Sequence, residues 1–244
     1  MSGNPGKELY ERAMNALTGV PPNRNDINVS DLLHRPADLG YSPAQTALGF
    51  INEDGTLVPR NFQEAATWYR KAALQGDRLA AWSLGRLYFV ESIPGSRRDG
   101  ERWLAQAATA DDPFGAYLLA LSIDERDHTA STKYLREAAM QGLPFAQYKL
   151  ALALRDGIGT PVDKVDAYVW LLLSLEAGVQ NAADAVEALE AELGTTKIEQ
   201  AKLKARELQN RVLRSATAHS CTGWSGELSE IPTPPPLDIE RFCR

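Results

Sequence analysis

The sequence predicts an all-α fold: a right-handed superhelical α-solenoid of stacked antiparallel helix hairpins with an irregular C-terminal tail. Three observations predict it. First, Ala65 to Tyr88 reads as a hairpin: Ala65, Trp68, Tyr69, Ala72 and Ala73 lie on one apolar face, and Ala80, Leu84, Leu87 and Tyr88 on a second, with Gly76 between them. Second, the unit recurs. Leu48-Gly49, Leu84-Gly85, Leu119-Ala120 and Leu150-Ala151 stand 36, 35 and 31 residues apart, each four residues after a small residue: Ala44, Ala80, Gly115 and Ala146. Third, Gly40, Gly76, Gly142 and Gly178 recur where helices need a left-handed stop, with Asp111 filling that slot once. A hairpin repeated at a fixed period cannot bury its apolar face alone, so it stacks.

In chain order, Lys7 to Thr18 is the first helix, stopped by Gly19-Val20-Pro21-Pro22-Asn23. Asp31 to Leu39 is the second, with a kink or two short pieces expected at Pro36, because a mid-helix proline costs about 3 kcal/mol. Residues 1–40 thus read as a degenerate first repeat, as terminal repeats usually are. Residues 41–178 hold the repeats proper, in hairpins from Ser42 to Gly76, Asp77 to Asp111, Pro113 to Gly142 and Pro144 to Gly178. Aromatic anchors recur in their second helices at Trp68, Trp103, Tyr134 and Trp170, opposite small residues. Asn61 with Glu64 reads as a capping box. Residues 179–215 form a capping pair, Ala182 to Leu193 and a helix opened by a second capping box at Thr196 and Glu199. From Ala216 the helical period is lost, and residues 216–244 form a proline-rich tail with two cysteines.

The pattern Ala-x-x-x-Leu-Gly-x-x-Tyr, met at Ala80, Leu84, Gly85 and Tyr88, and Ala-x-x-Trp-Tyr-x-x-Ala-Ala-x-x-Gly, met from Ala65 to Gly76, resembles the Sel-one-like repeat, a relative of the tetratricopeptide repeat. The loop Gly157-Ile158-Gly159-Thr160-Pro161-Val162-Asp163 fits it as well. The resemblance spans Ala44 to Val212, and more loosely the first forty residues. Two departures stand out: the third unit is about five residues short between its helices, and Ala120 and Ala151 replace the glycine after leucine.

With 244 residues, 44% apolar and 24% charged, the chain can bury a substantial core. A net charge of −6 argues against a general nucleic-acid or anionic-membrane binder, which needs a basic footprint. No run approaches the ~18 apolar residues of a membrane span. The start of the sequence lacks a basic-then-apolar leader, so the expectation is a periplasmic or secreted protein if a leader has been removed, and a cytoplasmic one otherwise. Cys221 and Cys243 are the only cysteines and lie outside the repeats. They are a disulfide candidate that would close a loop of 21 residues, worth about 3 kcal/mol, and the alternative is two free thiols.

Residues arranged for chemistry are scarce. His34, His128 and His219 have no metal-ligand spacing, so neither a metal nor another cofactor is expected. Gly223-Trp224-Ser225-Gly226 lacks the spacing of a nucleophile elbow. Gly157 and Gly159 lack the further glycine or lysine of a phosphate cradle. Asp124, Glu125 and Asp127 with His128 read as a short solvated loop more readily than as a cation site.

What remains is shape. In a stack of this kind the first helices line the concave side. There Thr46, Trp82, Tyr117 and Tyr148 are equivalent, then Phe50, Arg86, Leu121 and Leu152, then Glu53, Phe89, Asp124 and Arg155. The expected partner-binding residues are Phe50, Trp82, Arg86, Phe89, Tyr117, Tyr148 and Arg155, aromatics and arginines being typical anchors; the alternative for each aromatic is inter-helix packing. The predicted function is a non-enzymatic adaptor or inhibitor of a protein partner, one that is basic if charge steers the encounter. Resemblance to the family adds envelope scaffolds and immunity proteins that neutralise a secreted toxin. Two other readings stand beside it: a hydrolase with a site around Ser225 and His219, and a structural spacer.

Overall fold

The computed structural model describes residues 4–18, 29–55, 58–90 and 93–218, and among these are twelve helices and no strand. They divide into two compact units, one reaching Trp103 and one starting at Leu104. The first contains α1 (Pro5–Thr18), α2 (Val29–Asp38), α3 (Ser42–Asp54), α4 (Phe62–Ala73), α5 (Arg78–Phe89) and the start of α6 (Arg97–Thr109). The second takes the remainder of α6, then α7 (Pro113–Ile123), α8 (His128–Met140), α9 (Pro144–Asp156), α10 (Lys164–Glu176), α11 (Ala182–Glu192) and α12 (Thr195–Ala218). In the first unit α1 to α5 each pack on the next, and in the second α7 to α11 do, with α12 against α10.

Five of the helices stop by the same device. In the Schellman turn after α4, Gly76 N–H donates to Ala73 O at 2.9 Å and Asp77 N–H to Ala72 O at 3.2 Å. The pattern repeats at Gly40, Asp111, Gly142 and Gly178. All five residues have positive φ, and Asp111, at 58°, is the one that is not glycine. After two of these turns the next helix starts on a carboxylate, Asp77 and Asp112 accepting from the amides of Ala80 and Gly115 at 2.9 and 2.8 Å, and Asp127 caps α8 in the same way through Ala130 at 2.9 Å.

The core of the first unit gathers Tyr10 and Ala13 of α1, Leu33 and Ala37 of α2, Ala44, Ala47, Leu48 and Ile51 of α3, and Trp68 of α4. Small residues let the helices close in. A Cβ on Gly49 would meet the Tyr69 ring at 2.5 Å, which explains the glycine after leucine in that hairpin. In the second unit, where Ala120 and Ala151 stand in its place, the positions equivalent to Tyr69 are Leu135 and Leu171, both buried.

Several local expectations need correction. Pro36 does not split its segment: α2 runs through it as one helix. The proline sits in the last turn, so only one backbone bond is forgone, and its carbonyl accepts Tyr41 N–H at 3.0 Å. Asn61 caps α4 through the amides of Gln63 and Glu64, but its own N–H goes to Asn52 O at 2.7 Å instead of to Glu64. α12 starts at Thr195, ahead of the expected box, with Lys197 and Ile198 donating to Gly194 O. It continues through Ala218, three residues beyond where the helical period was expected to lapse. A reciprocal box lies instead at α6, where Ser96 N–H and Oγ reach Asp99 Oδ2 and Asp99 N–H reaches Ser96 Oγ.

Candidate partner-binding face

The three rows on the first helices differ in exposure, and the gradient runs along the helix. Thr46, Trp82 and Tyr117 of the first row are buried, and Tyr148 is half-buried. In the second row Phe50 is buried while Arg86, Leu121 and Leu152 are half-buried. All four of the third row, Glu53, Phe89, Asp124 and Arg155, are partly open to solvent. Each first helix therefore offers reachable side chains toward its C-terminal end.

In the first unit the rows converge on an ion pair. Arg86 of α5 pairs through Nη2 with Glu53 Oε1 of α3, and Tyr69 Oη of α4 donates to Glu53 Oε2 at 2.9 Å. The Arg86 guanidinium lies 5.5 Å from the centroid of the Trp82 ring, within cation–π range. Burial lowers its pKa to about 10, so it stays charged at neutral pH, and burial pushes the Tyr69 phenol up. Farther out Phe89 lies beneath Arg97, 5.6 Å from ring centroid to guanidinium. Below the rows Asp77 Oδ2 accepts from Ser42 Oγ and Thr46 Oγ1, both at 2.9 Å, fixing the start of α5 against α3.

In the second unit Arg155 makes a two-point contact with its neighbour Asp156: Nε to Oδ1 at 2.7 Å and Nη2 to Oδ2 at 2.8 Å. That pairing raises the Arg155 pKa and depresses that of Asp156. Tyr117 is wholly buried on α7, whereas Tyr148 on α9 keeps part of its ring at the surface. Asp124 accepts from His128 one turn along, at 3.2 Å when the imidazole carries its proton on Nδ1, and both are exposed.

Of the seven residues expected to bind a partner, Phe89, Tyr148 and Arg155 are accessible, Arg86 is held in an ion pair, and Phe50, Trp82 and Tyr117 fill space between helices. Glu53 and Asp156, which hold the arginines, and Tyr69, which donates to Glu53, were not among them. The signal for Glu53 was present: an acid and a base in adjacent rows of successive repeats. Gly159 is required by packing, since a Cβ there would lie 2.1 Å from His128 O. Cys221, Cys243, Ser225 and His219 lie outside the described residues. Among the described helices none is long and apolar enough to cross a membrane.

The family model for the Sel1 repeat matches this chain four times, at residues 42–77, 78–112, 115–143 and 144–179. A protective antigen of uropathogenic Escherichia coli displaying an SLR fold is similar to it in structure, with a TM-score of 0.77 and 21% identity over 89% of this chain and 48% of the antigen. The chain thus spans about half the length of that protein. A Sel1 repeat protein from Oxalobacter formigenes matches with a TM-score of 0.68 and 25% identity, over 82% of this chain and 88% of its own.

Proposed function

The chain belongs to the Sel1 repeat family, whose repeats mediate protein–protein interaction, and from that premise we propose that it is a non-enzymatic binding protein that holds a partner protein on its first-helix face. The observation that carries this reading is the open end of α9 in the second unit, where Tyr148 and, two turns on, Arg155 are both half-buried. A half-buried aromatic or arginine already ordered by its neighbours loses little side-chain freedom on binding, which is the property of an interface anchor. The finer reading is an inhibitor, an immunity protein that blocks a cognate toxin in the periplasm or outside the cell. A net charge of −6 suits a basic partner approaching under electrostatic steering.

The test is affinity capture from lysate of the source organism with the wild-type protein and with Tyr148→Ala and Arg155→Glu, each checked for unchanged helicity. The expected result is one stoichiometric protein that both substitutions release, with an association rate that falls as salt is raised. A partner indifferent to both changes would remove this face from the reading. Capture of nothing would count against an adaptor or inhibitor altogether.

A further inference from the structure

The C-terminal helix pair is attached differently from the repeats before it. α11 and α12 each pack on α10 and touch one another little, joined only through Leu193 and Gly194. Toward α10, α12 buries Ala201 and Ala205 fully and Ile198, Leu208 and Gln209 in part, so no large apolar side chain of its described portion is fully withdrawn from solvent. Polar contacts make up the seam. Lys204 pairs with Asp166 at the start of α10, Gln209 Nε2 donates to Glu176 Oε2 at 2.9 Å near its end, and Lys202 lies 3.6 Å from Glu190 of α11. Glu190 also accepts from Tyr168 Oη, and Lys164 pairs with Glu192.

Charge is segregated across that seam. α12 carries six Lys or Arg and two Glu, a net +4 within a chain of −6, whereas residues 164–192 carry one Lys and six Asp or Glu, a net −5. The lysines of the seam are about half exposed, so each pair is weak and screened by salt. A Cβ at Gly194 would meet nothing within 4 Å, so the junction is open at the glycine, while Leu193 before it is buried and ends α11.

We propose that the face of α10 and α11 covered by α12 is a docking site for a basic amphipathic helix of a partner protein, with α12 its built-in occupant. The chemistry of the occupant defines the partner: alanines four residues apart, as at Ala201 and Ala205, to enter the groove closely, and lysines beside them at the places of Lys202 and Lys204 to meet Glu190 and Asp166. A partner helix takes the site when α12 swings away about Gly194. This surface is separate from the first-helix face, and its test is independent of that reading.

The experiment titrates a fluorescently labelled peptide of residues 195–218 into the full chain, wild type and Lys204→Glu, with hydrogen exchange followed along α7 to α12. In Lys204→Glu, α12 should exchange faster while α7 to α10 stay protected, and the peptide should bind about tenfold more tightly than to wild type. Raising salt should weaken that binding by about tenfold, and a peptide with both lysines changed to glutamate should not bind. The milder pair Lys202→Ala and Lys204→Ala replaces Lys204→Glu if the latter unfolds the unit. Unchanged exchange in α12 would show that the polar seam does not hold it, and a released α12 without peptide binding would show that the face takes no helix in trans. Either overturns the proposal. So does equal binding of the glutamate peptide, or a concentration-dependent dimer that exchanges α12, which would make a second copy the occupant.

Discussion

Arg86 of α5 reaches back across one repeat to Glu53 of α3, and the two side chains are only 12% and 13% exposed. Withdrawn this far from water, the charges depend on one another. Removing either alone, as in Glu53→Gln or Arg86→Met, strands the other and should cost about 3–5 kcal/mol of stability in urea unfolding. The double substitution should cost less than either single one, because no charge is then left uncompensated. If each single change costs under 1 kcal/mol, the pair behaves as a solvated surface contact. The same pairing explains why Arg86→Glu is a poor probe of binding: it would place two carboxylates together and lose the partner through misfolding.

Gly49 lies under the Tyr69 ring, and no β-carbon fits at 2.5 Å. Gly49→Ala should therefore destabilise by about 1–3 kcal/mol, against the roughly 1 kcal/mol that alanine ordinarily gains over glycine inside a helix. In a Tyr69→Leu background the sign should reverse. That double variant reproduces the pairing of Ala120 with Leu135 found later in the chain, and a double-mutant cycle would return the coupling directly. Additive effects would mean that the two residues do not constrain one another.

The repeated hairpins were legible because one signal was written four times. Each turn glycine, each small residue at the head of a first helix and each aromatic of a second helix recurs in register, so local ambiguity averages out. The face was less legible. Period fixes which residues share a stripe, yet Trp82, Tyr117 and Phe50 share theirs with residues that reach solvent, and only the approach of neighbouring helices separates the two. Arg86 shows the limit from the other side: as an arginine it reads as exposed, but Glu53, one repeat earlier, makes its burial tolerable. Pro36 and Thr196 fall to position, since a proline in a last turn breaks little and a serviceable cap yields to Gly194 two residues earlier.

The Ser96 and Asp99 box at the start of α6 makes a prediction in pH. Hydrogen bonds from Ser96, side chain first and then backbone, hold the Asp99 carboxyl below the ordinary aspartate range. A carboxyl depressed in the folded state stabilises above its unfolded pKa, and that contribution is lost as pH falls through the lower, folded value. Asp99→Asn should thus weaken the protein at neutral pH and differ less from wild type as the medium is made acidic. A gap that stays constant with pH would assign the effect to something other than this charge.

Asp111 occupies the left-handed turn between α6 and α7 at φ 58°, where the sister turns have glycine. An L-residue there pays a conformational penalty, and Asp111 also sets a negative charge at the C-terminal end of α6, where the exposed carbonyls disfavour it. Asp111→Gly should stabilise by about 0.5–1 kcal/mol in urea unfolding, the gain being trimmed by the greater freedom of glycine in the unfolded chain. Asp111→Asn separates the two causes, because asparagine removes the charge and leaves the β-carbon in place. If asparagine recovers as much as glycine, the charge and not the backbone is the cost. The reciprocal change, Gly178→Ala, is a clean control: at φ 96° a β-carbon would meet nothing within 4 Å, so its expected loss of about 1 kcal/mol comes from the backbone alone. A neutral Gly178→Ala would mean that these turns relax out of the left-handed region at little cost, and the gain expected from Asp111→Gly would vanish with it.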